Sequence, residues 1–179
     1  MRTVTFADAD LCAWMNRTFV LAWYDIKPEA TAAGLGALQP TYSREEIAAY
    51  PEGGGGTNVR AVFCSPEGIV RHATQGWWPA GRFREECERG LACAGAKSLD
   101  AAKDLRARGA DELIKAANEL AAANPEEMRR PVRESAVARR VAALRLRATT
   151  YAQMEGAIGQ EAVIVLGDWE EEAEGRIMK

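Results

Sequence analysis

Residues 58–92, NVRAVFCSPEGIVRHATQGWWPAGRFREECERGLA, constrain the fold most, because they set a strand, a tight turn, a second strand and a helix in direct succession. Val59, Ala61 and Phe63 alternate with Arg60, Val62 and Cys64, the period-two pattern of a strand with one face on a core. Ser65-Pro66-Glu67-Gly68 then turns the chain: Pro66 presets φ for the second position of a type I turn, and Gly68 suits the fourth. Residues 69–75 are therefore expected to return antiparallel as a hairpin that ends at Gly76. Beyond Trp77-Trp78-Pro79, the residues Phe83, Cys87 and Leu91 fall at i, i+4 and i+8 of an amphipathic helix. Arg82, Arg84, Glu85, Glu86, Glu88 and Arg89 are assigned to its outer face.

Upstream, Asp8 or Asp10 is a cap for a short helix that carries Leu11, Trp14 and Met15 and ends at Asn16. Residues 19–26, FVLAWYDI, are nearly all apolar and read as a strand buried on both faces, as parallel strands require. Ser43 opens a short helix that Pro51 ends. The run Gly53 to Gly56 reads as a flexible connector; a phosphate loop needs a strand before it, a helix after it and a Lys-Ser or Lys-Thr pair. From residue 96 onward Ala, Leu, Arg and Glu dominate, all strong helix formers. Two helices, 98–108 and 111–123, are expected with a break at Gly109, then a fresh start at Asn124-Pro125. Val137, Val141, Leu144, Ala148 and Tyr151 mark one face of a long helix that begins near Val132. Residues 162–166, AVIVL, read as a short buried strand, and 168–179 as an acidic surface helix or tail.

With 47% hydrophobic and 27% charged residues among 179, the chain has an ordinary globular composition. A formal net charge of -3 gives no global attraction to nucleic acid or acidic membranes. The longest apolar run is far short of the roughly 20 residues that span a bilayer, and no signal-peptide stretch opens the sequence, so a cytoplasmic protein is expected. Cys12, Cys64, Cys87 and Cys93 are scattered and read as free, buried thiols of a reducing compartment. His72 is the only histidine, and with scattered cysteines it makes no zinc-ligand spacing; it is expected to be a hydrogen-bonded strand residue, with no metal or other cofactor.

TFADADLCAWMNRTFVLAWYDIKPE followed by NVRAVFCSPEGIVRHATQGWWPAGRFREE resembles thioredoxin-like domains over about residues 1–95. The resemblance implies an α/β thioredoxin-like sheet with flanking helices (1–95) and a helical extension (96–179). The Cys-x-x-Cys pair of that family occurs nowhere in the chain. In one register 19–26 is the strand after the active-site helix, which puts the cysteine pair upstream of Met1. In the other it is the central strand, and Tyr24-Asp25-Ile26-Lys27 stands where the pair belongs. The family also places a proline, usually cis, before the strand near Val59, where this chain has Thr57-Asn58. The first register lacks a central strand, and 162–166 is expected to complete the sheet, either within the chain or from a second copy.

These readings give a redox-inactive thioredoxin-like module for protein interaction or assembly, used as a homodimer through its helical half. The enzyme alternative is a thiol-disulfide oxidoreductase using the isolated thiols Cys12, Cys64, Cys87 or Cys93, or a cysteine pair upstream; for Cys64, at a strand end, and Cys87, on the helix face that covers that sheet, simple burial is the favoured reading over a working pair. A weaker alternative is nucleic-acid binding by the arginines of 129–147, which the acidic tail is placed to neutralise. Trp77 and Trp78 read first as core or helix-support residues; with Arg139 and Arg140 they are also the candidate interaction surface.

Overall fold

The structure, a computed structural model, describes residues 5–22 and 60–166. Helix α1, Ala9–Thr18, starts where the Asp8 carboxylate accepts the Leu11 N–H at 2.8 Å, and it buries Leu11 and Met15 one turn apart. It runs past the expected stop at Asn16, with the Thr18 hydroxyl bonded back to the Trp14 carbonyl at 2.8 Å. Residues 19–22 are not a strand, and Val20, Leu21 and Ala22 are exposed. The rest of the expected 19–26 strand, the short helix at Ser43, the glycine run, Thr57-Asn58 and the acidic tail lie outside the described residues.

Strands β1, Arg60–Cys64, and β2, Val70–Gln75, form the expected antiparallel hairpin, with Arg60 opposite Gln75 and Phe63 opposite His72. Gly68 N–H closes the turn on the Ser65 carbonyl at 2.9 Å. With φ at +82°, Gly68 takes the left-handed conformation that follows a type I turn in a bulged hairpin, which a side chain resists. The register shift between Phe63 and Cys64 sets Val70 and Ala73, three residues apart, on the same face, opposite Cys64 and Val62. Ala61 and Phe63 join Leu11, Met15, Trp78, Phe83 and Cys87 in one core. On the other face, Val62, Cys64, Val70 and Ala73 pack with Met154, Ile158 and Val165.

Helix α2, Ala80–Ala94, buries Phe83, Glu86, Cys87, Gly90 and Cys93. This face is rotated from the expected one: Leu91 is 44% exposed, and Glu86 is fully buried. Gly90 explains the docking, because a Cβ there would lie 2.3 Å from the Phe63 ring, so only a glycine lets α2 approach β1 this closely.

Helix α3, Leu99–Ala123, is capped by Ser98, whose hydroxyl accepts the Ala101 N–H at 3.1 Å, and it passes unbroken through Gly109. A mid-helix glycine costs only about 1 kcal/mol. Here the missing Cβ leaves room for the Arg89 guanidinium, whose Nη1 would be 1.9 Å from it. The short α4, Pro125–Arg129, has proline in its first turn as expected, but the Asn124 amide instead caps the end of α3, donating to the Leu120 carbonyl at 2.9 Å. Helix α5, Ala136–Gln153, follows the Ser135 cap and starts four residues later than Val132, which is exposed. Val141, Leu144, Ala148 and Tyr151 pack with Leu113 and Ala117 of α3, with Val137 half-buried against them.

After a 3₁₀ turn, Glu155–Ala157, the chain runs beside β2: Gly159 N–H donates to the Val70 carbonyl, and Val70 N–H to the Gln160 carbonyl, both at 2.9 Å. Only a single antiparallel bridge, Ile69 to Glu161, results. Residues 162–166 are helical, which overturns the expected C-terminal strand. Val165 enters the core while Val163 and Ile164 are exposed, the one-sided burial of a helix and not the two-sided burial of a central strand. Among the described residues the sheet is the two-stranded hairpin, and the fold is mixed α/β and mainly helical.

Candidate functional site

Glu86 on α2, an acid on a helix that reads as amphipathic, faces the hairpin and gathers donors from two elements, β2 and α5. His72 Nε2 lies 3.0 Å from its Oε2. Arg147 of α5 gives Nε to Oε1 at 2.9 Å, and its Nη2 contacts the same oxygen. The Tyr151 hydroxyl sits 2.9 and 3.0 Å from the two carboxylate oxygens. Arg147 Nη1 also reaches the neighbouring Glu85 at 2.7 Å and its guanidinium lies over the Trp78 ring.

A second arginine closes the far side. Arg106 of α3 places Nη1 3.0 Å from His72 Nδ1 and 3.2 Å from the Ala73 carbonyl, and donates through Nη2 to the Tyr151 carbonyl at 2.6 Å. A guanidinium has only protons to offer, so His72 Nδ1 is the acceptor and Nε2 carries the hydrogen bonded to Glu86. His72 is thus hydrogen-bonded on its strand, as expected, and neutral.

The electrostatics follow from this geometry. Burial acts to raise the Glu86 carboxyl, but the His72 hydrogen bond and the Arg147 charge outweigh it and hold the group at about 2. Burial drives His72 below its ordinary value, with Glu86 opposing and Arg106 assisting. Burial raises the Tyr151 phenol, and the Glu86 charge raises it further. Burial also lowers Arg106. Although burial works against its charge, Arg147 is raised by Glu86 and Glu85.

His72 and Glu86 are 0%, Arg147 1%, Arg106 2% and Tyr151 3% exposed, so no substrate reaches these atoms. The arrangement fixes charge: hydrogen bonds to charged groups are worth about 1.5–3 kcal/mol each, and here they fasten hairpin, α2, α3 and α5 at one point. They also cross residue 95, the expected boundary between the two parts of the chain.

The other candidates are dispersed. Cys64 and Cys87 belong to cores on opposite faces of the hairpin and form no pair. All four cysteines are free, Cys12 and Cys64 half-buried, Cys87 and Cys93 buried. Burial pushes the Cys64 and Cys93 thiols up, and burial with Glu86 and Glu88 pushes Cys87 to about 12. Trp78 is fully buried, its indole N–H donating to the Gln75 carbonyl at 3.1 Å, which agrees with the core reading and takes it off the candidate interaction surface. Trp77 and Arg140 are half-buried, and exposed Arg139 donates to the Arg133 carbonyl at 2.6 Å. Arg129 and Arg130 pair with Glu126 and Glu127 at 2.6 and 2.9 Å, and Arg145 donates to the Asn118 side chain at 3.2 Å. Among the described residues no group of three or more His, Cys, Asp or Glu is placed to hold a metal ion. Nor is any described helix long and apolar enough to cross a membrane.

Glu86, Arg106 and Tyr151 were not legible as a cluster. Their nearest signal is chemical: a lone histidine on a buried strand must satisfy both ring nitrogens, which demands polar partners from whatever packs on it. In comparison with known proteins, the chain matches no family model, no curated protein and no solved structure.

Proposed function

We propose that the chain is a redox-inactive, thioredoxin-like module that works by binding protein, either a partner or a second copy of itself. The observation that carries this reading is the state of the sulfurs. Thiol chemistry needs an accessible thiolate and a resolving partner, whereas Cys64 and Cys87 lie on opposite faces of the hairpin and burial raises Cys64, Cys87 and Cys93 alike. The succession of hairpin and covering helix supports the thioredoxin-like part of the reading.

The test is a disulfide-reduction assay on the full chain with a protein disulfide as substrate and dithiothreitol as electron donor, beside a variant with all four cysteines changed to serine. The reading expects no rate above the uncatalysed one and a dimer in sedimentation experiments. Turnover that disappears with the cysteines rejects it in favour of an oxidoreductase.

A further inference from the structure

His72 is enclosed on every side, so its neighbours decide which protonation state the fold accepts. From β1, the Phe63 ring lies against it with centroids 5.4 Å apart. From α2, Glu86 accepts from Nε2, and Arg89 acts on it as a positive charge. From α3, Arg106 faces Nδ1 at 3.0 Å, with Glu155 in turn 3.5 Å from the Arg106 Nε. From α5, Tyr151 meets the imidazole edge to face at 5.1 Å, and Arg147 holds the Glu86 carboxylate from its other side.

A further proton has one place to go, Nδ1, whose lone pair Arg106 uses. There an imidazolium N–H would point at a guanidinium N–H, two like charges 3.0 Å apart and away from water. The geometry points to His72 as a proton-operated latch: protonation at Nδ1 expels Arg106 and releases α3 and the end of α5 from the hairpin. Release is not confined to one bond, because the same guanidinium holds the Ala73 carbonyl on β2 and the Tyr151 carbonyl on α5. The proton comes from solvent, and no covalent bond changes. Burial holds His72 below its ordinary 6.5, so the latch is closed at neutral pH. The released form takes up the proton first as pH falls below 6.5, and closure weakens from there downward. This device stands apart from the proposed function and is tested without it.

His72 is the only histidine, so its imidazole resonances are read directly by NMR on the full chain between pH 8 and pH 4, alongside amide exchange of β2, α3 and α5. The expected result is a midpoint below the ordinary value, with protection of α3 and α5 lost at the same midpoint. Arg106→Met removes the opposing cation, and the His72 midpoint should rise. His72→Gln should abolish this acid release, leaving only the step of Glu86, which lies near 2. The proposal is overturned if His72 titrates at its ordinary value or above, or if α3 keeps its protection after His72 is protonated. An unmoved midpoint in Arg106→Met also overturns it. Should either variant fail to fold, the wild-type titration with its exchange readout decides.

Discussion

Changing Glu86 to Gln keeps the shape of the side chain and removes the charge on which the buried cluster converges. Arg147, 1% exposed, then loses the carboxylate that takes its Nε and Nη2 and keeps only Glu85, whose side chain is 43% exposed. The new amide NH₂ also points donors at donors, since His72 Nε2, Arg147 and the Tyr151 hydroxyl all offer protons there. Breaking a buried pair from one side costs about 3–5 kcal/mol. Against a whole-fold stability of about 5–15 kcal/mol this is a large fraction. It corresponds to a fall in Tm of about 6–20 °C for a chain of this size. Urea unfolding followed by tryptophan fluorescence at pH 7 measures it, with Glu85→Gln as the control. Glu85 also touches Arg147 but is open to water, so its loss should cost only about 0–1 kcal/mol. Equal effects of the two substitutions, or a cost below about 1 kcal/mol for Glu86→Gln, would refute the assignment of Glu86 as the anchor.

Gly90→Ala should destabilise by about 1–3 kcal/mol in the same experiment despite its better helix propensity, because the new methyl meets the Phe63 ring. A stabilised variant would show that α2 does not need its close approach to β1. Labelling of the native protein at pH 8 by a thiol reagent should modify Cys12 and Cys64 well before Cys87 and Cys93, which should react only on unfolding; mass mapping of the first-labelled peptide checks the order. Glu86 has a depressed folded value, so its contribution is complete above its ordinary 4.5 and is lost as pH falls from there through about 2. Acid unfolding of the wild type should be steep across that interval and flatter in Glu86→Gln.

Local chemistry wrote the hairpin into the sequence: alternation over Ala61 to Cys64, Pro66 and Gly68 in the turn, and Gly76 after the second strand all act within a few residues. The Asp8 cap and the apolar face of α5 are local in the same sense. Glu86 was not legible, because a glutamate on an amphipathic helix belongs outside unless donors arrive, and Arg147 and Tyr151 arrive from 61 and 65 residues away. Gly109 reads as a breaker until the Arg89 guanidinium from another helix is set against it. The run at 162–166 is ambiguous by composition: five apolar residues suit a buried strand or the half-buried turn of a helix, and only docking against β2 decides.

The long sequence separation within the cluster also bears on how the chain matures on the ribosome. Glu86 leaves the exit tunnel 61 residues before Arg147. At about 5–20 residues per second, translation leaves its carboxylate about 3–12 s without its arginine. Through that interval water must solvate the acid, so α2 has reason to hold off its final seating on the hairpin until α5 has been made.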